Sequence, residues 1–172
     1  MLSIIGAILL IGGSAAFGFS SVMRLRARSR NLQMIASALG VMQSEICDRL
    51  TPMPELLANL AVEMQQPVSL LFKNAEESMK SGLGALSFAE IWKQAVTETT
   101  ELMLTAQEAG VLSELGLWLG RYNPEEQKTS LQYTQRRIEE FMRRADNERD
   151  TNSKTHAFLG VAAGIFAVVI LI

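Results

Sequence analysis

The chain has 172 residues, 16 lysines and arginines against 18 aspartates and glutamates, a net charge of −2, one histidine and one cysteine. With no second histidine and no cysteine pair, the usual zinc sites, histidine-dependent triads and internal disulfides are excluded. No G-x-x-x-x-G-K-[ST] occurs, so a phosphate-binding loop for ATP hydrolysis is excluded as well.

Residues 1–23, MLSIIGAILLIGGSAAFGFSSVM, carry no charged side chain. As a helix they reach about 34 Å at 1.5 Å per residue, enough for a hydrocarbon core of about 30 Å. No basic residue precedes the run, and Arg24, Arg26, Arg28 and Arg30 follow it. A secretory signal has the reverse order, so we expect a transmembrane helix. Gly12 and Ala16 have the small-residue spacing that lets membrane helices pack closely.

The next segment reads as helix over 30–50. Leu32, Ile35, Leu39, Met42, Ile46 and Leu50 recur at three- and four-residue steps, and Cys47 packs as a small apolar residue. Thr51 is placed to cap a second helix with Pro52 in its first turn, and Leu56, Leu57, Leu60, Ala61 and Met64 form its apolar face. Pro67 opens a third helix, with Val68, Leu70, Leu71, Phe72 and Met79 as buried candidates. SGLGALS is the clearest loop. Three capping boxes then mark helix starts: Ser87–Glu90, Thr105–Glu108 and Asn123–Glu126, the last with Pro124 at the first helical position. Trp92 and Trp118 lie on apolar stripes, as core residues or as partner anchors.

From Pro124 the only glycines are Gly160 and Gly164 and there is no proline, so one long helix is expected. Its narrow stripe is Leu131, Ile138, Phe141 or Met142, and Ala145. After His156 come sixteen residues without a charge, about 24 Å of helix. They cross a membrane if Thr155 and His156 enter the interface, Lys154 snorkels and the carboxylate of Ile172 anchors the far side. Gly160 and Gly164 repeat the close-packing spacing. Strand signals are weak throughout, with no alternating β-branched run bounded by turns.

Charge sets orientation. Arginines 24–30 abut the first span, and Arg143, Arg144, Arg149 and Lys154 precede the second, so the positive-inside rule places the segment between them in the cytoplasm. The expected organisation is a transmembrane helix (1–23), an all-α cytoplasmic bundle of about six helices (24–156) and a second transmembrane helix (157–172). Residues 31–120 hold 4 basic and 11 acidic side chains, a net of −7. This acidic middle argues against nucleic acid and permits a basic protein partner. Glu98, Glu101, Glu108 and Glu114 are the candidate contacts; a solvated face is the alternative. The adjacent pairs Glu76–Glu77 and Glu139–Glu140 point roughly 100° apart on a helix and form no carboxylate dyad. No catalytic, cofactor or metal residue is identified, and no enzymatic activity is expected.

The segments TPMPELL, GLGALSFAEIWKQA, LGLWLGRYNPEEQ and NSKTHAFLGVAAGIFAVVILI, in this order, resemble the stage III sporulation protein AB family over nearly the whole chain. That family looks like the cytoplasmic domain of the inner-membrane platform proteins of type II secretion and type IV pilus systems. One departure is Tyr122–Asn123, where the family shows a Ser-Asp pair; any binding role of that aspartate is in doubt here. The resemblance implies a non-enzymatic platform in the mother-cell membrane surrounding the forespore. There it would work with other stage III sporulation channel proteins, dock a cytoplasmic secretion-type ATPase and be able to self-associate. A platform for another secretion system and a membrane-tethered adaptor are the rival readings.

Overall fold

No proline interrupts the chain after Pro124, and the computed structural model has a single helix there, α6 (Pro124–Leu171). The first segment is likewise unbroken, as α1 (Leu2–Cys47). Between them lie α2 (Met53–Glu63), α3 (Val68–Lys80), α4 (Phe88–Glu98), a 3-10 turn at Thr100–Leu102, α5 (Ala106–Glu114) and a second 3-10 turn at Leu115–Leu117. The structure describes the backbone of residues 2–81, 86–120 and 123–171, and the side chains of 23–81, 86–120 and 123–148. Among the described residues there are six α-helices and no strand.

Apart from Met23, the expected spans 1–23 and 157–172 lie outside the residues whose side chains are described, and with them Gly12, Ala16, Gly160 and Gly164. Among the described residues no helix is long and apolar enough to cross a membrane. The chain divides into two units: one is Arg28–Arg143, the other joins Met1–Ala27 to Arg144–Ile172.

Within the Arg28–Arg143 unit, α1 and α6 run antiparallel. The Cys47 Sγ lies 4.0 Å from the Pro124 carbonyl oxygen, a side chain at Gly40 would meet Gln135, and Gln33 and Arg143 line one groove. The α1 stripe Leu32, Ile35, Leu39, Met42 and Ile46 is buried, as are Leu131, Ile138 and Phe141 on α6. Phe141 holds the inner position and Met142 is half-buried. The core is completed by Leu56, Leu57 and Leu60 of α2, by Val68, Leu71, Phe72 and Ala75 of α3, and by Ile91, Trp92, Ala95 and Val96 of α4. Leu39→Ala or Leu115→Ala, each removing a buried side chain, is expected to cost about 2–5 kcal/mol in denaturant melts.

Several local expectations are corrected. Leu50 is 69 % exposed, because α1 ends at Cys47 and Leu50 takes a left-handed φ of 56° that turns the chain. Thr51 does not cap α2, whose N-cap is Pro52 with no side-chain hydrogen bond. Instead the Thr51 hydroxyl donates to Glu45 Oε2 (2.6 Å) and its amide to the Glu45 carbonyl (2.9 Å), so this residue closes α1. Ala61 and Met64 are only half-buried, as are Leu70 and Met79. The boxes at Ser87 and Thr105 are complete. Asn123 caps α6 without the full box: its Oδ1 accepts from the amide of Glu125, the second helical residue, at 3.1 Å.

Around Trp92 the packing is close. Its indole N–H donates to the Leu112 carbonyl at 2.7 Å, which satisfies the one polar group of a fully buried ring. The Phe72 and Phe88 rings lie 5.9 and 6.2 Å away. Gly116 closes the pocket: a Cβ there would fall 2.9 Å from Trp92 Cβ and Cδ1, so only glycine fits without displacement.

Candidate partner interface

From Gln94 to Gly120 the chain contains no lysine or arginine, while it carries Glu98, Glu101, Glu108 and Glu114. The structure separates these four acids into two kinds. Glu98, Glu101 and Glu114 are exposed. Glu98 is the last residue of α4 and Glu114 the last of α5, and neither helix has a basic residue in its last turn. The C-terminus of a helix carries partial negative charge, so acids there oppose the helix dipole. The dipole disfavours them there, although Glu98 also accepts a hydrogen bond from Gln94 Nε2 at 2.8 Å.

Glu108 is the exception and corrects the expectation of four exposed carboxylates. It is fully buried. As the third residue of α5 it completes the capping box, with Oε2 accepting from the Thr105 amide at 2.7 Å. The same carboxylate receives Arg28 from α1: Nη2 donates to Oε1 at 2.6 Å, and Nε lies 3.2 Å from both oxygens. Burial pushes the Glu108 carboxyl up. The hydrogen bonds from Arg28 and Thr105 and the Arg28 charge outweigh that and hold it below the ordinary 4.5. This carboxylate is an internal fastener and is not presented to a partner.

Three residues further along α1, Asn31 is also buried, and its Nδ2 donates to the carbonyls of Glu101 (3.3 Å) and Leu102 (3.0 Å). Arg28 and Asn31 thus grip the 101–108 segment at two points. Between those points Met103 adopts a left-handed φ of 55° and is 46 % exposed. Just before this segment the chain is tied at Thr99, whose hydroxyl donates to the Ala95 carbonyl at 2.7 Å and accepts from Asn74 Nδ2 at 3.0 Å. After α5, Leu117 and Trp118 are 52 % and 40 % exposed. Trp118 is therefore a surface residue, in contrast to Trp92. Past it, Gly120 takes a φ of +75°, a backbone state that favours glycine. Its amide donates to Gln127 Oε1 of α6 at 3.2 Å. The segment 98–118 thus exposes Glu98, Glu101, Met103, Glu114, Leu117 and Trp118, and hydrogen bonds from α1 and α3 tie it to the bundle. Sequence reasoning found its acids and Trp118. It missed Met103, Leu117 and the two buried polar residues of α1, whose partners lie 70 to 80 positions away.

A profile of the family described as stage III sporulation protein AB matches residues 3–172. The chain belongs to that family. The curated stage III sporulation protein AB of Bacillus subtilis (strain 168) is 25% identical over 172 residues, covering 99% of both chains. A solved structure of a stage III sporulation protein AB superposes with a TM-score of 0.66 and 24% identity, covering 73% of this chain and 98% of that one. The family membership supports a role in sporulation, and the structural match shows a shared helical fold.

Proposed function

We propose that this family member is a non-enzymatic, membrane-anchored platform of the mother cell-to-forespore channel apparatus required for endospore formation. Its helical unit faces the mother-cell cytoplasm and docks a secretion-type ATPase through Glu98, Glu101 and Glu114. Membership of a sporulation family supports the setting. The observation that carries the contact is the stretch 94–120, free of lysine and arginine, with acids standing at the dipole-disfavoured ends of two helices. Apart from the hydrogen bond that Glu98 accepts from Gln94 Nε2 at 2.8 Å, the helix dipole does not favour acids at these helix ends, and a cationic partner would. Opposite charges steer association and select the partner, with a range set by a screening length of about 8 Å at physiological salt.

The test is binding of the full-length chain in detergent to the purified ATPase over a salt series. Affinity should fall as salt rises, and the triple change Glu98→Lys, Glu101→Lys and Glu114→Lys should weaken it at least about tenfold. Arg143→Glu, outside this strip, should weaken it less. All four positions are exposed, so each change alone should alter folding by no more than about 0.5 kcal/mol. Binding that ignores salt and tolerates the triple reversal would remove the acidic strip from the contact.

A further inference from the structure

The loop at Met103 and Leu104 is fixed at a definite height along α1. Met103 has a left-handed φ of 55°, a backbone state that non-glycine residues seldom adopt. It is 46 % exposed, and Leu104 beside it is half-buried. An exposed apolar side chain on an unfavourable backbone points to a use outside the fold. Both sides of the loop are fastened to one stretch of α1: Asn31 holds the carbonyls of Glu101 and Leu102, and Arg28 holds Glu108. That stretch lies where the chain enters the Arg28–Arg143 unit, and it is where the chain leaves as well, since Arg143 shares a groove with Gln33. The loop is thus at the end of the unit from which both outer segments continue. Met23 is the last residue of the uncharged N-terminal run. Only eight positions of α1 separate it from Asn31, about 12 Å along the axis.

We infer that Met103 and Leu104 rest in the headgroup layer of the bilayer that α1 enters, as a membrane contact additional to the two apolar ends of the chain. The height of the loop carries this. Of the distance between Met23 and Asn31, the interfacial layer takes about 5–8 Å. The Leu102 carbonyl, held by Asn31, then lies just outside that layer, and Met103 is the next residue. Charge agrees. Arg24, Arg26 and Arg30 are exposed on this part of α1, as is Arg143 on α6, and arginines at a membrane surface favour anionic headgroups. Glu101, exposed two residues before Met103, opposes them and limits the contact to shallow insertion. Leu50 separates height from backbone strain. It too has a left-handed φ, of 56°, and it is 69 % exposed. But it follows the other end of α1, beyond Cys47, which lies sixteen positions after Asn31, or about 24 Å further from Met23. A bilayer that meets Met103 does not meet Leu50. The inference rests on the membrane-anchored reading above and is independent of the ATPase contact.

The test uses the full-length chain reconstituted in phosphatidylcholine vesicles with a minority of phosphatidylglycerol. A Cys47→Ser background carries either Met103→Cys or Leu50→Cys, labelled with the fluorophore NBD. Both positions are exposed, so neither change should disturb the fold. A nitroxide on the lipid acyl chain, close to the headgroup, should quench the label at 103 at least about threefold more than the label at 50, as expected of a group at the headgroup–acyl boundary. Equal quenching at the two positions, in vesicles that retain the chain, overturns the inference and leaves the membrane-anchored reading standing. A label at 103 that is shielded from the lipid nitroxide and from aqueous iodide alike also overturns it, and shows a protein covering this loop. If alkaline carbonate strips the chain from the vesicles, the membrane-anchored reading fails and this inference fails with it.

Discussion

Arg28→Ala is expected to destabilise the Arg28–Arg143 unit by about 3–5 kcal/mol, the range for breaking a buried ion pair by deleting one partner. The cost comes less from the attraction lost than from Glu108, which stays fully buried with its charge uncompensated. Its remaining partner, the Thr105 amide, serves only one oxygen. The pH dependence separates this account from a loss of packing. In the native chain Glu108 titrates below its ordinary value. Its stabilising contribution is therefore present above the unfolded pKa and is lost as pH falls through the folded one. In Arg28→Ala, burial acts without the guanidinium and pushes the carboxyl up, so the variant is helped as pH falls. Denaturant melts at about pH 7 and about pH 4 should therefore show the gap between native and variant closing. Glu108→Gln in the Arg28→Ala background should recover part of the loss, since a neutral amide tolerates burial better than an isolated carboxylate. A gap independent of pH would mean that Arg28 acts through its aliphatic stem.

Trp92→Ala is expected to cost about 3–5 kcal/mol in the same melts. The substitution empties the contact between Phe72, Phe88 and Gly116, and it strands the Leu112 carbonyl that the indole N–H satisfies. Trp92→Phe keeps most of the ring volume and isolates the second term, which should be about 1–3 kcal/mol for an unsatisfied buried acceptor. Gly116→Ala should cost about 1–3 kcal/mol by overpacking in the native chain. It should cost much less in Trp92→Ala, where the obstructing ring is gone. Additive losses in the double variant would show that Gly116 is needed for its backbone and not for its proximity to the ring.

These two sites also show which parts of the molecule were legible locally. The stripe Leu32, Ile35, Leu39, Met42 and Ile46 could be read directly, because burial of one helical face imposes a period that survives in the residue order. The capping boxes at Ser87 and Thr105 were legible for a similar reason, since both partners lie within one turn. Helix class, helix number and the acidic character of 94–120 all follow from such short-range or compositional features. The endings were less secure. The α1 period runs on to Leu50, but the chain leaves the helix at Cys47 and Thr51 turns back to Glu45. There a local polar closure outcompetes a further apolar turn, and periodicity carries no information about that competition.

What the tertiary structure alone decided is which of two identical residues faces inward. Trp92 and Trp118 both sit on apolar stripes, yet one is sealed by Gly116 and the Leu112 carbonyl and the other lies at the surface. Glu108 reads like its acidic neighbours until α1 delivers Arg28 to it across 80 positions. Gly110, in α5, and Gly116, in the 3-10 turn after it, are six residues apart, and a side chain would find open space at the first and Trp92 at the second. Short-range order in the chain encodes backbone conformation, because that is set within a turn or two. The charge, burial and free space around a side chain come from elements distant in sequence, and only their packing assigns them.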